Sequence, residues 1–120
     1  MPRFLAVYTM RPEDLRAFLA RPKAEQEAID EMGLKSWADW RERNAAALVS
    51  TDVMVGKTTR VTRSGIADGQ NPIAGFVIVE APDITAAARL FQDHPHITIF
   101  PGDGIDVMPV VSEPPEEMQK

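Results

Sequence analysis

IAGFVIVEAPDITAAARLFQDHPH, residues 73–96, is the most regular stretch of the chain, and it predicts a strand, a turn and a helix in that order. The near-continuous apolar run from Ile73 to Glu80 is typical of a strand with both faces covered. Asp83 is a good helix N-cap. Apolar side chains then recur at the i, i+3, i+4, i+7 spacing of a helix, which the following His-Pro pair should end near Asp93.

The chain before this stretch predicts one more buried strand and then several helices. RFLAVYTM (residues 3–10) is short and apolar, as buried strands are. Pro12 is well placed to open a helix, Pro22 interrupts its apolar stripe, and Gly33 is expected to cap the continuation. SWADWRERNAAALV (residues 36–49) predicts a further helix, whose two tryptophans are expected to pack against a sheet rather than to stack on a ligand.

Two more strands and a tail complete the predicted elements. VMVGKTTRVTRS (residues 53–64) has the alternation of an edge strand, and GIADGQNP (residues 65–72) has the Asp-Gly and Asn-Pro pairs of a hairpin loop. GIDVMPVV (residues 104–111) predicts the last strand. Residues 113–120 are acidic and poor in apolar side chains, which indicates a loose tail behind a single domain of residues 1–112.

This order of elements is the β-α-β-β-α-β arrangement of the ferredoxin-like fold, with an extra helix in the first crossover. The predicted fold class is α+β, an antiparallel four-stranded sheet with helices on one face. Because the strand at 73–80 is apolar on both sides, the other face also needs a cover. A second subunit is the simplest cover, so we expect a homodimer joined through the sheet face as a dimeric α+β barrel.

Three pieces of the sequence, MPRFLAVY, AGFVIVEAPDITAAARLFQDHPH and PGDGIDVMPV, are similar to the YCII-related domain family, including its DGPF subgroup. The resemblance covers roughly residues 1–111. It implies a ferredoxin-like α+β fold, usually dimeric, in proteins often of unknown biochemical function. Some relatives have been proposed to be enzymes because they hold a His-Asp pair in a pocket. The DGPF sequence itself is absent, RSGIADGQN stands in its place, and no histidine precedes His94.

Composition narrows the classes of function. The chain has 120 residues, a net charge of −5 and no cysteine, which excludes disulfides and cysteine metal sites. An acidic chain is a poor partner for nucleic acid phosphates. No signal peptide and no apolar run of membrane-spanning length are present, which favours a soluble cytoplasmic protein without a membrane partner. Neither GxGxxG nor a P-loop occurs, and no cofactor is expected.

The predicted topology brings polar residues from distant segments to the edge of the sheet where the first strand ends, which is typical of a small-molecule site. His94 with Asp93 is the candidate acid-base pair, because histidine titrates near neutral pH. The candidate ligand-binding residues are Tyr8, His96, Arg60 and Arg63. The spacing of the two histidines around a proline is not a sharp metal signature, so no metal site is expected.

The same residues also allow simpler interpretations. A polar residue before proline is an ordinary end of a helix, a strand tyrosine often packs with its hydroxyl satisfied, and an edge strand commonly carries solvated arginines. Three functions therefore stay open from the sequence. The protein is an acid-base enzyme using His94 and Asp93, or a non-catalytic small-ligand-binding or regulatory dimer, or a structural protein whose sheet face only makes the dimer.

Overall fold

The computed structural model describes residues 1–112; residues 113–120, for which the sequence predicts a loose tail, lie outside the described part. The described chain is α+β, as predicted. Its elements are β1 (Arg3–Thr9), α1 (Pro12–Leu19), α2 (Lys23–Arg43), a 3₁₀ turn (Ala45–Ala47), β2 (Val53–Met54), β3 (Thr58–Thr62), β4 (Gly65–Gly69), β5 (Ile73–Glu80), α3 (Ile84–Arg89), α4 (Pro95–Thr98) and β6 (Gly104–Pro109).

The main sheet has four strands in the order β2-β5-β1-β6, and all neighbours are antiparallel. This is the order of the ferredoxin-like fold, which confirms the predicted architecture. β1 lies in the middle, with Ala6 opposite Val77 on β5 and opposite Val107 on β6. Alternation along the strands decides which face meets the helices, since successive side chains point to opposite sides.

The core lies between one face of this sheet and the helices. Phe4, Ala6 and Tyr8 of β1 are buried on that face, and α2 covers them with Trp37 and Trp40. The buried positions of α2 fall at helical spacing, so one stripe of the helix faces the sheet. The other members of the core are Val77, Val79, Ala81, Ala87 and Phe91.

The prediction that a helix ends at Gly33 is wrong, because α2 runs without a break from Lys23 to Arg43. Gly33 is buried in the middle of the helix, and the ring of Phe100 lies directly over its Cα, where a β-carbon would overlap the ring. The glycine therefore provides a place for an aromatic ring and does not end the helix. The second helix predicted to start at Ser36 is the C-terminal half of α2.

The predicted edge strand at residues 53–64 is divided in the structure, and the predicted loop after it is a strand. Only Val53–Met54 joins the main sheet, next to β5. β3 and β4 pair with each other as a separate two-stranded sheet. We call residues 57–70 the arm. A loop was expected because Asp68-Gly69 and Asn71-Pro72 are turn pairs, but the tight turn forms earlier, where Gly65 has a φ of 127°.

The helix after β5 also departs from the prediction. Asp83 caps α3 as expected, with Oδ1 accepting from the Ala86 N–H at 2.8 Å. The helix ends at Arg89 rather than near Asp93, and Asp93 has a left-handed φ of 58°. His94 then caps a second short helix, α4, which begins at Pro95. Proline suits the first position of a helix, so the His-Pro pair starts an element here and does not end the preceding helix.

Candidate functional site

A cavity of about 310 Å³ opens at the end of the sheet where β1 finishes and β5 begins. Its walls are mostly apolar, with three polar side chains among them, which is the usual character of a small-molecule site. The polar side chains are Arg41, Asp52 and His96. The remaining lining residues are Met10, Leu34, Trp37, Met54, Ala74 and Phe100.

Asp52 is the polar side chain of the cavity with the most hydrogen bonds. It lies just before β2, and its side chain is only 8% exposed. Oδ1 accepts a hydrogen bond of 2.5 Å from the Tyr8 hydroxyl, and Oδ2 accepts from Trp37 Nε1 at 3.1 Å. Arg41 Nε donates to the same Oδ2 at 3.3 Å. Three donors on one carboxylate offset the cost of burying its charge.

Tyr8 lies under the cavity rather than in its wall. The side chain is fully buried, and its ring packs edge-on against Trp37 with centroids 5.0 Å apart. Burial and the hydrogen bond to Asp52 raise the pKa of the Tyr8 hydroxyl far above its ordinary value, so it stays a donor at neutral pH. Tyr8 thus orients the Asp52 carboxylate from the core side, outside the cavity.

His96 lines the cavity from α4. Its Nε2 lies 2.7 Å from the carbonyl oxygen of Thr9, which can only accept, so Nε2 carries a proton. Burial lowers the pKa of His96, and the Thr9 carbonyl partly offsets this. The neutral ring therefore has an unprotonated Nδ1. Gly102 makes room for the imidazole, since a β-carbon there would overlap Nε2.

His94 lies deeper, outside the cavity wall. It is fully buried among aromatic rings, with Trp37 and Trp40 nearly perpendicular to it at centroid distances of 4.5 and 4.6 Å. Nδ1 accepts from the His96 N–H at 3.0 Å, and Nε2 has no hydrogen-bond partner within residues 1–112. Burial lowers the pKa of His94 to about 4, with a smaller opposing effect of Asp52. The ring is neutral at pH 7 and caps α4.

The structure brings together Tyr8, His94 and His96, as the topology predicts, but not the other candidates. The ring centroids of the two histidines lie 5.3 and 5.2 Å from that of Tyr8. Asp93 is exposed, and its carbonyl oxygen is 3.4 Å from the Thr98 hydroxyl. Arg60 lies on the arm, where Nη2 donates to the Gln70 carbonyl at 2.8 Å, and Arg63 follows β3 near the tip of the arm. None of these three lines the cavity.

Sequence reasoning missed Asp52 and Arg41, and it treated Trp37 as a core residue only. Trp37 is indeed buried, but its ring edge also lines the cavity and its N–H holds Asp52. One signal was available: Trp37 and Arg41 are four residues apart, so they lie on the same face of a helix. Nothing local marks Asp52, because its partners come from β1 and α2, 11 to 44 residues away in sequence.

Neither a metal centre nor a membrane span is found in the part of the chain that the structure describes. No three His, Asp or Glu side chains within residues 1–112 are grouped closely enough to hold a metal ion. No helix within the same residues combines the length and the apolar character needed to cross a bilayer.

The strand order and the helices on one face of the sheet define the fold class of the protein as ferredoxin-like α+β. One solved structure with this fold is the 5-chloro-2-hydroxyhydroquinone dehydrochlorinase TftG from Burkholderia phenoliruptrix AC1100, in complex with 2,5-dihydroxybenzoquinone. The superposition has a TM-score of 0.52 and covers 88% of this chain and 89% of TftG. With 14% sequence identity, the likeness shows a shared fold.

No protein-family model and no curated protein matches the sequence. The likeness to TftG supports the fold that the YCII resemblance implied, and membership of the YCII-related family stays a prediction.

Proposed function

We propose that the cavity at the strand ends binds a small molecule of about one ring, and that the protein acts on it by acid-base chemistry. The observation that carries this proposal is the Asp52 carboxylate, almost fully buried and held by three donors in an otherwise apolar wall. Burying a charge is costly, and a core needs none. A volume of about 310 Å³ is at the small end of ligand pockets.

His96 is the group we propose for proton transfer. It lines the cavity, it is neutral, and its Nε2–H is committed to Thr9, so Nδ1 is left to accept a proton. A neutral imidazole is a suitable general base near pH 7. Asp52 holds a fixed negative charge across the same space. The acid-base pair of His94 and Asp93 stays a prediction from the sequence. It has less support than His96, because His94 is buried outside the cavity wall and Asp93 is exposed to solvent.

The dehydrochlorinase TftG gives limited support of its own. It is an enzyme, and its structure holds 2,5-dihydroxybenzoquinone, a single ring of the size that this cavity would take. Since the two chains share 14% of their residues, the substrate of TftG is not assigned to this protein.

A non-catalytic ligand-binding protein is the second candidate. The Tyr8 hydroxyl and the Trp37 N–H are both engaged by Asp52, and the raised pKa of Tyr8 keeps the hydroxyl protonated at neutral pH. These features suit recognition as well as catalysis. A cavity that holds a buried carboxylate disfavours the third possibility, in which the sheet face serves dimerisation alone.

We further propose that the protein works as a homodimer joined through the open face of the sheet. That face carries Leu5 and Val7 on β1, next to Phe76 and Ile78 on β5, and none of these four side chains is buried. Adjacent apolar side chains on an exposed surface are typical of an interface. A cytoplasmic location also stays a prediction.

The test begins with a library of single-ring metabolites, screened by ligand-observed NMR. We expect binders that are lost in Ala74→Phe, because Ala74 lines the cavity and a ring there would fill it. Ala88→Phe, at an exposed position of α3, is the matched control and should keep them. Binders that survive Ala74→Phe, or a library without any binder, would contradict the proposed pocket.

Binders are then incubated with the protein and analysed for conversion. Turnover that is abolished in His96→Gln while binding persists supports the enzyme. Binding without conversion in any condition supports the second candidate.

A further inference from the structure

The charge of the ligand can be inferred from Arg41, the one Lys or Arg among the described residues that line the cavity. Arg41 lies in the last turns of α2, and its side chain is half exposed. Its ion-pair partner within residues 1–112 is Asp52, which lies across the cavity wall and not on the same helix. The guanidinium is therefore held at the cavity and not on the outer surface of α2.

The remaining donors of Arg41 are unused. Only Nε is engaged, with Asp52, and no group within the described chain accepts from either Nη. Helix neighbours three and four residues away offer no ion pair, because Trp37, Ala38, Asn44 and Ala45 carry no negative charge. An arginine has five N–H donors in a planar fork, so four remain for a ligand.

Neither of the other two polar side chains of the cavity, Asp52 and His96, offers a competing site for a charged ligand group. The Asp52 carboxylate is already satisfied by Tyr8, Trp37 and Arg41, so its attraction for a second cation is reduced. His96 is neutral, since burial lowers its pKa. Apolar side chains make up most of the remaining wall and offer no competing charge.

We propose, on the basis of the function proposed above, that the ligand is a small planar monocarboxylate, whose carboxylate binds the Nη groups of Arg41. A carboxylate matches the two-pronged geometry of a guanidinium, and such paired bonds are among the strongest in proteins. The body of the ligand lies against the wall formed by Trp37 and Phe100, whose rings pack on each other with centroids 6.1 Å apart. Arg41 is thus a specificity-determining residue of the pocket.

The experiment compares benzoate with benzamide, which has the same shape and no charge, by titration calorimetry and ligand-observed NMR. We expect benzoate to bind with a Kd of about a millimolar, and benzamide to bind roughly tenfold more weakly, because a charge-assisted bond is lost. Arg41→Gln should weaken benzoate by a similar factor and change benzamide less, because the amide loses no charge-assisted bond. Arg43→Gln removes the same charge from an exposed position two residues on, and it should have no effect.

Three results would overturn the inference. Equal affinities for benzoate and benzamide, an Arg41→Gln variant that keeps benzoate, or no benzoate binding at all would each do so. If uncharged library compounds still bind and are lost in Ala74→Phe, only the carboxylate inference fails. If no compound binds, the proposed pocket fails with it.

The Trp40 indole N–H, which donates to the Leu90 carbonyl away from the cavity, reports that the variants are folded.

Discussion

Gly33 and Gly102 each lie against a ring that leaves no room for a β-carbon, the first against Phe100 and the second against His96. Gly102 gives the clearer prediction. We expect Gly102→Ala to push the His96 ring out of place, since the new methyl group would overlap Nε2. The hydrogen bond to the Thr9 carbonyl would be lost, and the cost should be about 1–3 kcal/mol. Urea unfolding measures the cost, and the chemical shifts of the His96 imidazole report the displacement.

Gly56→Ala is the matched control, because no heavy atom lies within 4 Å of a β-carbon at that position. It should change the free energy of unfolding by no more than about 0.5 kcal/mol. Equal effects of the two variants would show that His96 does not depend on the space at Gly102.

His94 predicts a pH dependence of stability. Its pKa is about 4 in the folded protein and about 6.5 in an unfolded chain. Between these values the unfolded state binds more protons, so stability falls as the pH drops from 6.5 towards 4. The loss attributable to His94 is about 2–3 kcal/mol. It is measured by urea unfolding at pH 7 and pH 4.5.

His94→Asn separates this effect from the titration of carboxylates, because asparagine can still accept from the His96 N–H but does not titrate. The variant should lose less stability on acidification than the wild type. An unchanged pH dependence, or an NMR titration of His94 near pH 6.5, would contradict its burial as a neutral ring.

Among the elements, the arm is the part least tied to the rest of the protein. β3 and β4 contact mainly each other, and Val61 and Ile66, which face each other across the strands, are 74% and 76% exposed. Replacing residues 57–70 by Asn-Gly should leave the sheet and the cavity intact, with a change in unfolding free energy of about 1 kcal/mol or less. Circular dichroism and urea unfolding measure this; a loss of cooperative unfolding would refute it.

The elements show how far the sequence predicts this fold. β1 and β5 were predicted almost to their ends, because a short apolar run with turn residues after it is a local signal. The break expected at Gly33 was wrong because the reason for that glycine, the ring of Phe100, is 67 residues away in sequence (100 minus 33). The division of residues 53–64 into β2 and β3 was missed for a similar reason. Both pieces have strand character, and only pairing with β5 or β4 distinguishes them.

The candidate site was predictable only in part. The topology placed His94 and His96 beside Tyr8, because helix and strand ends meet at one edge of the sheet. The centre of the site, Asp52, comes from a connecting segment whose position is set by tertiary contacts with Tyr8 and Trp37. A sequence pattern has no means of showing such contacts.

At the scale of the whole molecule, the proposed homodimer is the main expectation. Phe76→Lys places a charge in the middle of the open sheet face, opposite Val7, and should shift the protein to a monomer. Leu19→Lys is the control, since Leu19 is equally apolar and is exposed on α1, away from the sheet. Sedimentation velocity at micromolar concentration distinguishes the species. A wild-type monomer, or a Phe76→Lys dimer, would rule out this interface.

The most direct test of the central claim uses the two indole N–H signals of the protein. Trp37 donates to Asp52 at the cavity, and Trp40 donates to the Leu90 carbonyl in the core. We expect single-ring ligands to shift the Trp37 signal in a saturable manner and to leave the Trp40 signal in place, and Asp52→Asn to weaken the response. If both signals stay fixed with every compound, or move together, the cavity at Asp52 and His96 is not a ligand-binding site.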